Sequence, residues 1–191
     1  MIKRFLLLCL FLGAMSVFSA HSGDTDIGAE SWPPTSCSDD DYWMFFAELA
    51  LCVSKADVLR VEHLNLSDPS ISITMRVNER ALEVGLLWFE KSAAVAGIHD
   101  YLDVAPEEVF SVLTGELPHE HRNVVEEILY VNDKTRITVY EGKGIIAYAL
   151  IRPVAEHSSI YVFRPEQEGV IKVTGPLESE DVEILLSFIR W

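Results

Sequence analysis

Residues 136–152 read Arg136-Ile137-Thr138-Val139-Tyr140-Glu141-Gly142-Lys143-Gly144-Ile145-Ile146-Ala147-Tyr148-Ala149-Leu150-Ile151-Arg152, and this stretch decides the fold class. Two runs rich in Ile, Val, Tyr and Ala flank Glu141-Gly142-Lys143-Gly144, which has the composition of a hairpin connection. Two more β-rich runs follow at residues 159–164 and 169–174, linked through Glu166-Gln167-Glu168-Gly169. Parallel pairing would need longer crossovers. The runs 136–141, 144–152, 159–164 and 169–174 are therefore expected to form a four-stranded antiparallel meander. Gly175-Pro176 ends it, and Ser179 starts a C-terminal helix striped by Val182, Leu185, Leu186 and Ile189.

Working upstream, three short helices are expected. Val95, Ile98, Tyr101 and Leu102 keep helical spacing. Pro106 suits a first helical position, with Glu107 and Glu108 in the first turn and Val109, Val112 and Leu113 on one face. Pro118 opens the third, striped by Val124, Val125, Ile128 and Leu129. Before them the period changes to two. Ile71, Ile73, Met75 and Val77 alternate with polar residues, Asn78-Glu79 makes a turn, and Leu82, Val84, Leu86 and Trp88 alternate again. That pattern predicts a β-hairpin, although Leu87 and Phe89 leave a helix open for its second arm. An alternative strand lies near residues 58–64, before the turn at Ser67-Asp68-Pro69.

Ser38-Asp39-Asp40-Asp41 has the character of a helix start, with a capping hydroxyl and carboxylates at the positive end of the dipole. Tyr42, Phe45, Phe46, Leu49 and Val53 follow at helical spacing, and Cys52 shares their face. An N-terminal amphipathic helix is expected here. The aspartate run lacks the alternating ligand spacing of a calcium loop. The order helix, hairpin, short helices, meander, helix describes one α+β domain over residues 38–191. Residues 21–37, with Trp32-Pro33-Pro34, form a polar N-terminal arm.

Residues 1–20 read as a cleavable signal peptide. Lys3 and Arg4 precede an apolar run from Phe5 to Phe18, and Ser19-Ala20 provide small residues at the cut. Those 14 residues would span about 21 Å as a helix, against about 30 Å of hydrocarbon, too short for a permanent anchor. Cleavage after Ser19 and after Ala20 fit about equally. An exported, periplasmic or secreted protein is expected, with no stable membrane insertion once the signal is removed. The aromatic end Phe188-Ile189-Arg190-Trp191 does not make an outer-membrane barrel, which needs many alternating strands of about ten residues.

Losing Lys3 and Arg4 leaves 13 basic against 30 acidic side chains, a formal charge of −17 for the mature chain. Such a surface disfavours nucleic acid and anionic lipid, and speeds encounter with a basic partner. Cys9 leaves with the signal. Cys37 and Cys52 remain, and in an oxidising compartment two cysteines are most simply one disulfide.

Candidate chemistry is thin. His119-Glu120-His121 would share a metal only on a strand, since on a helix the two imidazoles point about 200° apart. His99 and Asp103 stand at i, i+4, but no activated serine or unpaired mature cysteine offers a nucleophile to go with them. Gly142-Lys143-Gly144 lacks a phosphate-loop framework. Asn65-Leu66-Ser67 matches a glycosylation acceptor, which only a eukaryotic secretory pathway would use. No catalytic residues, metal ligands or cofactors are expected. The leading expectation is a non-enzymatic, acidic protein-binding protein such as an immunity protein or an inhibitor of a basic effector or envelope hydrolase. The alternative is an envelope assembly or stress accessory protein whose Trp43, Phe45, Phe46, Trp88 and Phe89 line a groove for a peptide or small apolar ligand.

Overall fold

The computed structural model describes residues 27–190 apart from positions 36, 39, 48, 65, 114, 116–118, 143 and 154–157. The signal peptide, Pro118, Lys143, Asn65 and Trp191 therefore lie outside the described residues. In chain order the elements are strands β1 (Ile27–Ser31), β2 (Tyr42–Phe46), β3 (Leu49–Val53), β4 (Val58–His63), β5 (Ser70–Val77) and β6 (Arg80–Glu90). Helices α1 (Lys91–Ala94) and α2 (Ile98–Leu102), a 3-10 helix (Pro106–Val112) and α3 (His119–Ile128) come next. Strands β7 (Arg136–Gly142), β8 (Ile145–Ile151), β9 (Ser158–Phe163) and β10 (Gly169–Gly175), helix α4 (Ser179–Ser187) and strand β11 (Ile189–Arg190) complete the chain.

The α+β class holds, with β-structure dominant. The four β-rich runs do not stand alone as a meander. They are the middle of an eight-stranded sheet ordered β1-β7-β8-β9-β10-β6-β5-β4. Strands β7 to β10 are antiparallel neighbours, and β10 continues antiparallel onto β6. The β5–β6 hairpin turns at Asn78 and Glu79, both at positive φ (48° and 63°), with Val77 opposite Arg80. Two left-handed residues in a two-residue turn match the right-handed twist of the strands they join.

The expected N-terminal helix is absent. Residues 42–46 and 49–53 form the antiparallel pair β2 and β3, which turns near Ala47 at φ 50°. The aromatic content of Tyr42-Trp43-Met44-Phe45-Phe46 favours strand. The last residues of the chain then supply a partner: β11 pairs with β3, so Ile189 lies opposite Leu51 and a three-stranded sheet ordered β11-β3-β2 results. Part of the polar arm is structured too. Strand β1 lies parallel to β7, with Ile27 opposite Ile137 and Ser31 opposite Glu141.

The large sheet has an apolar core on each face. Along β8, Ile145, Ala147 and Ala149 point to one side and Tyr148 and Leu150 to the other, as a two-residue period requires. The first side meets Leu49 and Leu51 of the small sheet and Val182, Leu185 and Leu186 of α4. The second meets Val95, Ile98, Val109, Phe110, Val125 and Leu129 from the helical segment. Phe110 is fully buried and stacks on Tyr148, with ring centres 4.7 Å apart, while Tyr161 (4.9 Å) and Phe163 (5.3 Å) close round it. Lys91 fixes the 3-10 helix from the side: its ammonium donates to the Pro165 carbonyl at 3.0 Å and pairs with Glu107 at 3.4 Å.

Helix α4 is tied to the hairpin by charge. The buried carboxylate of Asp181 accepts from the Glu178 backbone N–H at 2.7 Å, closing the first turn of the helix, and pairs with Arg80 of β6. Cys37 and Cys52 form a disulfide with Cα atoms 5.9 Å apart, within the ordinary range. Because β2 and β3 are strands, the bridge clamps the segment leading into β2 onto β3 rather than onto a helix face.

Candidate functional site

Two surface features stand apart from the core. The first is a groove of about 750 Å³ on the helix-covered face. Its floor is Ser159 and Tyr161 of β9 with Lys172 and Thr174 of β10. Its walls come from the α1 region, through Ala94 and Ala96, and from the end of α3, through Ile128, Leu129 and Tyr130. Arg152 closes one end. The strand register assembles the floor, because Tyr161 lies opposite Lys172 and Ser159 opposite Thr174. The helices cover β7 to β10 incompletely, and the groove is the part of the sheet they leave open.

Its geometry is held firmly. The Arg152 guanidinium donates to the carbonyl of Leu129 and, at 3.0 Å, to that of Tyr130, closing over the C-terminal end of α3. Burial pushes the Arg152 pKa down from its usual value, and the neighbouring Tyr161 hydroxyl acts the other way. Tyr130 sits at φ 55°, in the left-handed position that ends a helix and that glycine ordinarily fills. Its amide bonds the Glu127 carbonyl, and the Val131 amide reaches back to Glu126 at 2.7 Å, the double closure of a Schellman end. The Lys172 ammonium lies 5.2 Å from the centre of the Tyr161 ring.

The second feature is the open edge of the small sheet. Strand β2 exposes Tyr42 (49%), Trp43 (47%) and Phe45 (80%), whereas its last residue Phe46 is buried. Trp43 lies opposite Cys52, so the disulfide sits directly behind this edge. Asp40 and Asp41 precede the strand, and Asp41 accepts from the Ser38 N–H at 2.6 Å, forming a turn where a helix start was expected.

The aromatic residues expected to share a groove are dispersed. Phe46 and Trp88 pack with the small-sheet core, Phe89 packs with the helix-side core, and Trp43 and Phe45 face solvent. His99 pairs with its neighbour Asp100 at 3.3 Å instead of with Asp103, and its Nδ1 is buried without a partner among the described residues. His121 lies on α3 and meets the Tyr101 ring edge-on at 6.3 Å. Among the described residues no group of three His, Cys, Asp or Glu side chains is arranged to hold a metal. Gly142 and Gly144 flank the β7–β8 turn, as a hairpin tip would have them.

Tyr130, Arg152, Tyr161 and Lys172 were not among the residues singled out from sequence. A partial signal existed for one of them: Val170, Lys172 and Thr174 alternate with Ile171 and Val173, which puts the lysine on the same strand face as Val170, but the alternation does not show that this face is covered. Among the described residues no helix is long and apolar enough to cross a membrane. No protein-family model, curated protein or solved structure matches the chain, so its function is read from its own residues.

Proposed function

We propose that this is an exported, non-enzymatic protein-binding protein that engages a basic partner through the β2 edge. The observation that carries the reading is the exposed strand Tyr42-Trp43-Met44-Phe45. It puts three aromatic side chains in solvent on the open edge of the small sheet. An edge strand presents unpaired backbone donors and acceptors, and exposed aromatics are the side chains that anchor interfaces. The acidic excess, 30 Asp and Glu against 15 Lys and Arg, supplies steering toward a basic surface. Immunity proteins and inhibitors of envelope hydrolases are the class that suits these properties together. Export rests on the basic, apolar, small-residue pattern of residues 1–20, and the Cys37–Cys52 bridge is compatible with it.

Capture from an envelope extract by the mature protein tests this, run beside a Trp43→Ser/Phe45→Ser variant. A partner of basic pI should be retained by the natural protein, released as salt rises, and lost from the variant. Equal capture by both proteins, or binding indifferent to salt, would count against the β2 edge.

One observation favours a second reading, a small-ligand site. The groove over β9 and β10 has the size usual for such sites, about 300–1,000 Å³. It lies away from the aromatic residues that first suggested a ligand-binding role.

A further inference from the structure

We propose that the groove between the α1 region and the end of α3 binds a small organic anion with an apolar body, its negative head held by Lys172 and Arg152. The proposal rests on the second reading above, that the groove is a ligand site, and adds the chemistry of what enters it.

Charge selects the head group. The chain has twice as many acidic as basic side chains, 30 against 15, yet no acidic side chain among the described residues lines the groove, while Lys172 and Arg152 both do. Lys172 is half-buried on the floor and has no carboxylate partner among the described residues. Its only described polar contact is with the face of the Tyr161 ring. A half-buried ammonium loses hydration without gaining an ion pair, and an anionic ligand would supply one. Arg152 is engaged with the Leu129 and Tyr130 carbonyls, and so contributes a fixed positive charge at the end of the groove. The buried Ser159 makes no described side-chain hydrogen bond and lines the same floor, beside Tyr161 and Lys172.

The walls select the body. Ala94, Ile128, Leu129 and the ring of Tyr130 offer hydrocarbon, and Tyr130 is 78% exposed at the rim. Both rims carry non-glycine residues at positive φ, Ala96 at 50° and Tyr130 at 55°. Left-handed backbone is strained for residues with a Cβ, and strain of this kind concentrates at ligand clamps. At the Tyr130 position glycine would satisfy the backbone at lower cost. The tyrosine retains a ring over the groove.

Two fluorescent probes of nearly one shape separate the alternatives: anionic 1-anilinonaphthalene-8-sulfonate and neutral N-phenyl-1-naphthylamine. The natural mature protein should bind the anion at least about 10-fold more tightly, the worth of one charge-assisted contact. Lys172→Met should remove most of that preference, leaving the part due to Arg152, with the neutral probe's affinity and the thermal midpoint unchanged, and Lys172→Arg should restore it. Backbone amide shifts at Ser159, Tyr161 and Thr174 on adding the anion would place it in the groove. If both probes shift those amides but bind equally and ignore Lys172, the anionic preference is wrong while the groove remains a ligand site. If neither probe shifts them, the reading of the groove as a ligand site fails as well.

Discussion

The two faces of the large sheet are closed in different ways. One is covered by pieces from both ends of the chain: β2 and β3 from residues 42–53, then α4 and β11 from residues 179–190. The other is covered by a single contiguous segment, α1 to α3, inserted between β6 and β7. The first face is closed by a disulfide, an ion pair between half-buried Arg80 and buried Asp181, and the two-residue pairing of β11 with β3. The second relies on Phe110 set among three aromatic rings, with Lys91 as a strut. The inserted segment runs from β6 to β7 across β8 to β10, fills the centre of that span with Phe110, and leaves a groove over part of β9 and β10. Cover drawn from distant parts of the chain can be clamped shut.

Each substitution below weakens one face and asks whether the other survives. Phe110→Ala should cost the most, about 3–5 kcal/mol, since it empties the centre of the helix-side core. Chemical denaturation measures the loss. Hydrogen exchange should show the helices deprotected while β3 and α4 keep their protection. Equal loss on both faces would mean that the faces form one cooperative unit. Replacing Cys37 and Cys52 by serine should cost about 3 kcal/mol on the opposite face, read from the same denaturation curves. Asp181→Ala should cost about 2 kcal/mol, because it leaves the half-buried Arg80 only the longer, exposed contact to Glu178 at 3.9 Å and removes the acceptor that closes the first turn of α4.

A smaller effect is expected from pH. Tyr140 is buried beside Glu183 and Glu30, and burial first, then those two carboxylates, push its phenol pKa up. The folded state therefore holds this proton more tightly than the unfolded chain does. The resulting stabilisation is complete below about pH 10, where the unfolded phenol ionises, and is lost as pH rises toward the folded value. Thermal midpoints measured from pH 9 to 11 should fall less steeply in Tyr140→Phe than in the natural protein. The smallest effect is expected from Phe45→Ser at the exposed edge, within about 0.5 kcal/mol. A larger loss would show that Phe45 packs as core, and would weaken the case for β2 as a binding edge.

Much of the architecture was legible locally. The runs that became β7 to β10, and the β5–β6 hairpin, declare themselves through alternation and turn residues. Stretch 42–53 misled because its apolar residues are nearly continuous and fit a period of 3.6 as readily as 2. The deciding partner, β11, lies more than a hundred positions away, beyond the reach of any local pattern. Strand β1 escaped for the same reason: Ile27-Gly28-Ala29-Glu30-Ser31 has little β-propensity of its own and is held by pairing with β7. The groove was illegible because Arg152, Lys172 and Tyr130 meet only after three separate segments have assembled. The alternation around Lys172 assigns it to the face opposite Ile171 and Val173, but not what covers that face.

The parallel pairing of β1 with β7 has a consequence in time. Ile27 lies opposite Ile137, 110 positions later in the chain, so β1 cannot dock until β7 has been made. Until then the open side of β7 is a free edge, able to accept any extended chain that reaches it. Strand β1, early in the chain, is thus among the last to find its place. A partner that captured residues 27–31 early would hold the protein one strand short of completion.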